Sequence, residues 1–308
     1  MSIGEKEPLH VSDLGGEARE GFGSGAHYQR LLRYGRAREN ALQFRDYLAG
    51  EGEGRLANDL SQCGNHLLFR NYYTVGQYRL AGMCTCKKHL LCPLCAIRRG
   101  AKALRVYLER VTHLLASDEL LRPYMVTLTV KNGDNLTERY RHLADHLRQY
   151  HRRRSRSRQT GEVRKASSAV WSYEFTNRGN GWHPHVHAVW LCREAPDPYK
   201  LSEEWHALTG DSYIVDVRQV NMLDPVKSFC EVFKYAVKFS DLPNNLRLEA
   251  FRNLQGKRLL DSFGDLRGLV VEVDDSDDIL EDLPYIEIMY SYQRGVGYFE
   301  KSRLAAVS

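Results

Sequence analysis

The chain has 308 residues, with 44 lysines and arginines against 39 aspartates and glutamates, for a formal net charge of +5. Its 43% hydrophobic content is enough for a packed core and excludes a wholly disordered chain. No run approaches the ~18 apolar residues of a membrane span, and the N-terminus M-S-I-G-E-K-E-P-L-H lacks the apolar core of a secretory signal. A cytoplasmic location is the expectation, with thiols kept reduced. The crowding of four of the seven cysteines into residues 84–95 therefore points away from disulfides.

In chain order, residues 1–25 are rich in Gly, Glu and Ser and are predicted to be disordered. Residues 28–60 place Leu, Tyr and Phe at helical spacing, and the cysteine cluster follows. An amphipathic helix is predicted over about 96–116, then a strand, Y-M-V-T-L-T-V, at 124–130. Leu136, Tyr140, Leu143, Leu147 and Tyr150 predict a helix over 136–150. H-R-R-R-S-R-S-R (151–158) then packs five arginines into eight residues. A-V-W-S-Y-E-F (169–175) and the strand containing H-P-H-V-H flank T-N-R-G-N-G-W, so 169–191 is predicted to be a β-hairpin. A helix over 199–208 and a strand over 213–220 come next. Asp224-Pro225 reads as a helix start, with an N-cap acid and proline at the first position; that helix is predicted to run to about 239. A helix over 246–261 and a late strand over 285–290 complete the pattern. Between them, 271–282 holds seven acids in twelve residues, read as a solvated loop facing away from nucleic acid. The fold class is α+β, an antiparallel sheet covered by helices.

Three constellations carry chemistry. C-T-C-K-K-H-L-L-C-P-L-C holds a C-x2-C knuckle, Cys92 and Cys95, that Cys84 and Cys86 can complete to a four-thiolate structural zinc site; His89 could replace either of the latter. His183, His185 and His187 alternate, so a strand projects all three from one face. Glu174 on the preceding strand could approach that face, and histidine with carboxylate suits a divalent catalytic ion. His185 and His187 form the cleaner pair, with His183 of open use. On the helix after Asp224, Glu231, Tyr235 and Lys238 fall within about 60° of one another, opposite an apolar face. Alone this is an ordinary polar face. Beside a metal site, a tyrosine can be a nucleophile, a lysine can hold phosphate and a glutamate can activate water.

Together, in this order, these segments resemble the rolling-circle replication initiators of small plasmids, in the HUH endonuclease superfamily. The likeness covers roughly 84–268: the cysteine cluster, M-V-T-L-T-V, H-P-H-V-H-A-V, K-Y-A-V-K and G-K-R-L-L-D-S-F-G-D-L-R-G. It implies a central histidine-bearing hairpin and an enzyme that nicks and rejoins single-stranded origin DNA. In that reading Tyr235 forms a 5′-phosphotyrosine and frees a 3′-OH, and His185, His187 and Glu174 hold Mg2+ or Mn2+. Lys238 assists, Glu231 activates a terminating water, and Arg152, Arg153, Arg154, Arg156 and Arg158 contact DNA phosphates. The chain has no G-x-x-x-x-G-K-[ST] phosphate loop, so a host helicase and polymerase are the implied partners.

The corresponding division is a disordered 1–25, a helical region with the cysteine cluster at 26–118, a nicking-joining domain at 119–268, and a C-terminal acidic segment with a late strand at 269–308. The alternatives are a relaxase or single-strand transposase of the same superfamily, or a non-catalytic zinc-containing DNA-binding protein. Relaxases usually carry the tyrosine before the metal motif, whereas Tyr235 follows it, and a non-catalytic protein leaves the coincidence of histidines, Glu174 and the Glu-Tyr-Lys face unexplained.

Overall fold

The computed structural model describes residues 24–154, 161–234, 238–271, 276–277, 280 and 283–307. Contacts divide the described residues into two compact units, one from residues up to Lys102 together with those after Glu272, the other Ala103–Val271.

The first unit contains α1 (Ser24–Gly50), α2 (Gly54–Gln62), β1 (His66–Tyr72) and β2 (Gln77–Met83). Tyr34, Ala37, Ala41, Phe44 and Leu48 of α1 are buried at spacings of three and four, the apolar stripe of a helix packed on a core. Arg38, also buried, donates to the carbonyls of Leu60 and Ser61, satisfying the open C-terminal end of α2. The late strand β8 (Tyr285–Gln293) pairs antiparallel with β1, and β9 (Gly297–Val307) pairs with β8, in the order β2-β1-β8-β9. The C-terminal segment therefore completes the sheet of the N-terminal unit. A division into 26–118 and 269–308 separates strands that hydrogen-bond to each other.

Asp277, from the acidic run, is not in a solvated loop. Its carboxylate accepts from Arg30 (2.6 and 3.0 Å), Arg98 (3.1 Å) and the Leu80 N–H (2.8 Å). Burial opposes its charge, but Arg30 and Arg98 outweigh that and hold its carboxyl well below the usual range.

The division falls within α3 (Pro93–Ser117). In the second unit, β3 (Arg122–Thr129), β4 (Ala166–Asn177), β5 (Trp182–Cys192), β6 (Val215–Gln219) and β7 (Leu260–Phe263) form a sheet of order β6-β3-β5-β4-β7, every pair antiparallel. The helices are α4 (Leu136–Arg153), α5 (Pro198–Thr209), α6 (Pro225–Phe233) and α7 (Asn244–Leu254). Asn135 caps α4 by accepting from the Glu138 N–H, and Asp197 caps α5 through Tyr199 and Lys200. Asp224 occupies the N-cap of α6 with Pro225 behind it, though its side chain makes no cap hydrogen bond.

Two predicted helices are shorter than expected: α6, expected to run to about 239, ends at Phe233, with 235–237 outside the described residues, and the helix expected over 246–261 stops early. α7 ends at Leu254, Gly256 takes a φ of 76°, and residues 260–263 become an edge strand on β4. A left-handed residue breaks the helical ladder at low cost only when it is glycine, so Gly256 redirects the chain before the predicted end at 261.

Candidate active site and metal centres

The β4–β5 hairpin sits inside the five-stranded sheet. Asn177 pairs with Trp182, leaving Arg178 to Gly181 to turn the chain, with Gly179 and Gly181 at φ of 93° and 80°. A Cβ on Gly181 would stand 3.0 Å from the Gly133 backbone, so this turn needs glycine for space as well as conformation. The register continues as Glu174 opposite His185 and Ser172 opposite His187. Cross-strand neighbours share a face, so the carboxylate and both imidazoles converge. Glu174 Oε1 lies 3.4 Å from His185 Nε2, and Oε2 lies 3.6 Å from His187 Nε2. One donor atom from each of the three lies within 4.8 Å of the others.

The remaining ring nitrogens are held from behind. His187 Nδ1 is 3.1 Å from Thr127 Oγ1 on β3, and His185 Nδ1 is 3.4 Å from the carbonyl of His183. The Nε2 atoms of both rings face the Glu174 carboxylate. Glu174 is buried and its Oε2 has no hydrogen-bond partner among the described residues. Burial raises its pKa, yet His185, His187 and Lys234 together hold it down at about 2. Burial also lowers His187 to about 4, against the pull of Glu174, so its imidazole is neutral at neutral pH. These are the features of an oxygen- and nitrogen-donor site that could hold a divalent ion. His183 stands outside this group, with Nδ1 2.6 Å from Asn132 Oδ1.

α6 packs on β4 and β5 through the buried Phe229, Cys230, Val232 and Phe233. Glu231 pairs with Lys234, whose charge reaches both Glu174 and His187. Lys234 is only 8% exposed, and the sequence reading assigned it no role. Lys238, whose N–H donates to the Lys234 carbonyl, pairs with Asp241 at 3.4 Å. Burial raises the pKa of Asp241, against the attraction of Lys238 and with added repulsion from Glu174. Tyr235 lies outside the described residues.

In the first unit the thiols of Cys63, Cys86, Cys92 and Cys95 come together within 4.8 Å. Sulfur separations are 3.5 Å (63–92), 3.6 Å (63–95) and 3.6 Å (86–95). Four thiolates about 2.3 Å from one tetrahedral zinc stand roughly 3.8 Å apart, so the donor set fits that ion. Hydrogen bonds from Cys63, Cys86 and Cys95 hold Cys92 well below the usual thiol range, while contacts with Cys86 and Cys92 push Cys63 and Cys95 up. One thiolate forms readily, but four would need a cation among them. This corrects the expected ligand set. Cys84 is exposed and outside the group, and Cys63, at the C-terminal end of α2, takes its place. The Gly64 N–H donates to the Cys84 carbonyl, so Cys84 positions the neighbouring loop by its backbone. His89 is not part of the group either.

A model of the family described as "Replication protein" matches residues 77–288. The chain belongs to that family of plasmid replication proteins. No curated protein and no solved structure matches it. Members of the family are replication initiators and generally nicking endonucleases. The match takes in Cys86, Cys92 and Cys95, the histidine hairpin and α6; Cys63 precedes it.

Of the five arginines expected on DNA in this replication protein, Arg156 and Arg158 lie outside the described residues. Arg152 is exposed, Arg153 lies over the Tyr150 ring, and Arg154 stacks on Phe263 at 4.3 Å while donating to the Ser167 carbonyl. Arg154 is thus partly engaged in packing. Among the described residues no helix is long and apolar enough to cross a membrane.

Proposed function

We propose that this replication protein starts rolling-circle replication in the cytoplasm by nicking, and later rejoining, one strand of plasmid origin DNA, with Tyr235 as nucleophile. The observation that carries the reading is the convergence of Glu174, His185 and His187 beside α6, since Lys234 influences two of these groups and Tyr235 follows Lys234 in the chain. In cleavage, the Tyr235 oxygen bonds to the scissile phosphorus and the bond from phosphorus to the 3′ oxygen breaks. The phenol loses its proton and the departing 3′ oxygen gains one, leaving a 5′-phosphotyrosine and a 3′-OH primer. Rejoining reverses the transfer and needs no nucleotide cofactor, because the phosphotyrosine keeps the energy of the broken bond.

Mg2+ or Mn2+ held by the three donors would supply positive charge to the phosphoryl oxygens. The chain's own groups do the rest. A phenol ionises near pH 10 in water, so the ammonium groups of Lys234 and Lys238 favour its anion and the approach of phosphate. Glu231, freed from Lys234, can take a proton from the water that ends a replication round. Host helicase and polymerase complete the reaction scheme.

The test is incubation of the full chain with an origin oligonucleotide and Mn2+, followed by a denaturing gel. Wild type should give a covalent protein–DNA band. Tyr235→Phe should give none, with nicking down at least roughly a thousandfold and DNA binding retained; a persisting band would mean another nucleophile. In the same assay Glu231→Ala should nick normally and release the strand poorly. Thr127→Val should raise the Mn2+ concentration for half-maximal nicking about 10–100-fold, as loss of a ligand-orienting partner does. Calorimetric Mn2+ titration should show the same loss, and an unchanged affinity would remove Thr127 from this role.

A further inference from the structure

The nicking reading leaves unexplained a cavity of about 340 Å3 in the second unit, between α4, β4 and the turn into β7. It lies on the sheet face opposite the metal donors. Trp171 and Tyr173 line it, and they alternate along β4 with Ser172 and Glu174, which face the other way. Its wall is aromatic: the Tyr140 and Tyr173 rings meet edge to face at 5.5 Å, and His151 meets Trp171 at 4.4 Å.

Two buried ring nitrogens in this wall, Trp171 Nε1 and His151 Nε2, have no hydrogen-bond partner among the described residues. A buried polar atom left unpaired is costly, and each can be satisfied by the polar edge of a ligand. Burial, reinforced by Arg154, holds the His151 pKa at about 3, so its ring is neutral at physiological pH.

The rim is cationic. Arg141, Arg148, Lys257 and Arg258 line the cavity against two carboxylates, Asp145 and Asp261. Those acids pair with Arg148 and Arg258. Arg141 and Lys257 are exposed and have no carboxylate partner among the described residues. An aromatic wall with unpaired ring nitrogens suits a planar base with a polar edge, and two unneutralised cations at the mouth suit phosphate. The volume is at the small end for ligand sites, room for one nucleotide and not for a base pair.

We propose that this cavity holds one nucleotide of a single DNA strand, base inward and phosphate between Arg141 and Lys257. β7 is the edge strand of the sheet and only four residues long. A strand leaving the metal-donor face can pass around that edge to reach the cavity, so the two sites would grip one DNA strand from opposite faces. The inference rests on the DNA-acting reading of the protein and adds a binding site remote from the chemistry.

The same base-and-phosphate chemistry could come from a free nucleotide, and the experiment separates the sources. Binding of a fluorescent dT20 oligonucleotide to the full chain is followed by anisotropy over a range of salt, without added divalent ion. Arg141→Glu with Lys257→Glu, both at exposed positions, should weaken dT20 binding about tenfold or more and lower the salt slope by roughly one to two. Ala144→Met, which fills the cavity without changing charge, should weaken binding several-fold and leave the slope alone. Thermal midpoints check that each variant is folded. Wild-type affinity in the folded rim variant overturns the proposal. So does binding of free dTMP that the cavity variants abolish while dT20 binding is unaffected by them, which would assign the cavity to a free nucleotide. Nicking by wild type with no effect of the cavity variants sinks this inference alone, while a cavity effect without any nicking sinks the enzymatic reading alone.

Discussion

Cys63→Ser should abolish stoichiometric zinc in the purified protein, whereas Cys84→Ser should retain it. The contrast follows from geometry. Cys63 Sγ is within 3.6 Å of two other thiols of the cluster, and Cys84 is exposed and apart. Structural zinc contributes on the order of 10–16 kcal/mol to small thiolate sites, more than the whole stability of a typical domain. Losing one of four thiolates should therefore cost more than the roughly 10–100-fold in affinity typical of an outer-shell partner. The first unit should also melt far earlier, and a strong chelator should reproduce that loss in wild type. The ligand here is Zn2+, read by metal analysis of the purified chain alongside thermal denaturation. Zinc retained by Cys63→Ser and lost by Cys84→Ser would return the site to the cysteines that are adjacent in sequence.

Asp277→Asn should destabilise the first unit by about 3–5 kcal/mol, the usual cost of removing one partner from a buried ion pair. Asparagine preserves the shape and can still accept from the Leu80 N–H. It leaves Arg30 and Arg98 facing each other across a neutral group. A domain of this size should lose on the order of 6–20 °C in melting midpoint. The pH dependence has a defined sign. Asp277 has a folded pKa below its unfolded value, so its contribution is complete above about pH 4, where the unfolded carboxyl is also ionised. It declines as pH falls from there toward the folded pKa. The gap between wild type and Asp277→Asn should accordingly be constant from pH 7 to 5 and narrow below pH 4. Equal midpoints at pH 7 would mean that the two arginines find other partners.

Both predictions concern residues whose importance could not be read locally. Cys63 lies 29 positions before Cys92 and in no pair of its own; its one local signal is Gly64, which takes a φ of 70° where a Cβ would stand 2.5 Å from Leu94. Asp277 sits among six other acids that look alike in sequence. β1 and β2 were also missed, because a helical and cysteine-rich reading of 26–118 left no room for them. So was β9, whose 297–307 segment carries charges on an exposed edge. Each becomes a strand only by pairing with β8 or a neighbour far along the chain. Lys234 gains its significance from lying beside Glu174 and His187, which belong to other elements.

The sequence by itself determined what depends on near neighbours. Period-two alternation along 182–192 put His185 and His187 on one face. A glycine-rich turn brought the preceding strand alongside, and the parity of Glu174 followed from that turn. Asp224-Pro225 marked a helix start for the same local reason. Only the tertiary structure decided which fourth cysteine closes the thiolate group, which acid neutralises Arg30 and Arg98, and that the C-terminal strands complete the N-terminal sheet. Those choices depend on contacts between segments up to about 250 residues apart, where spacing carries no information and packing and charge pairing select the partner.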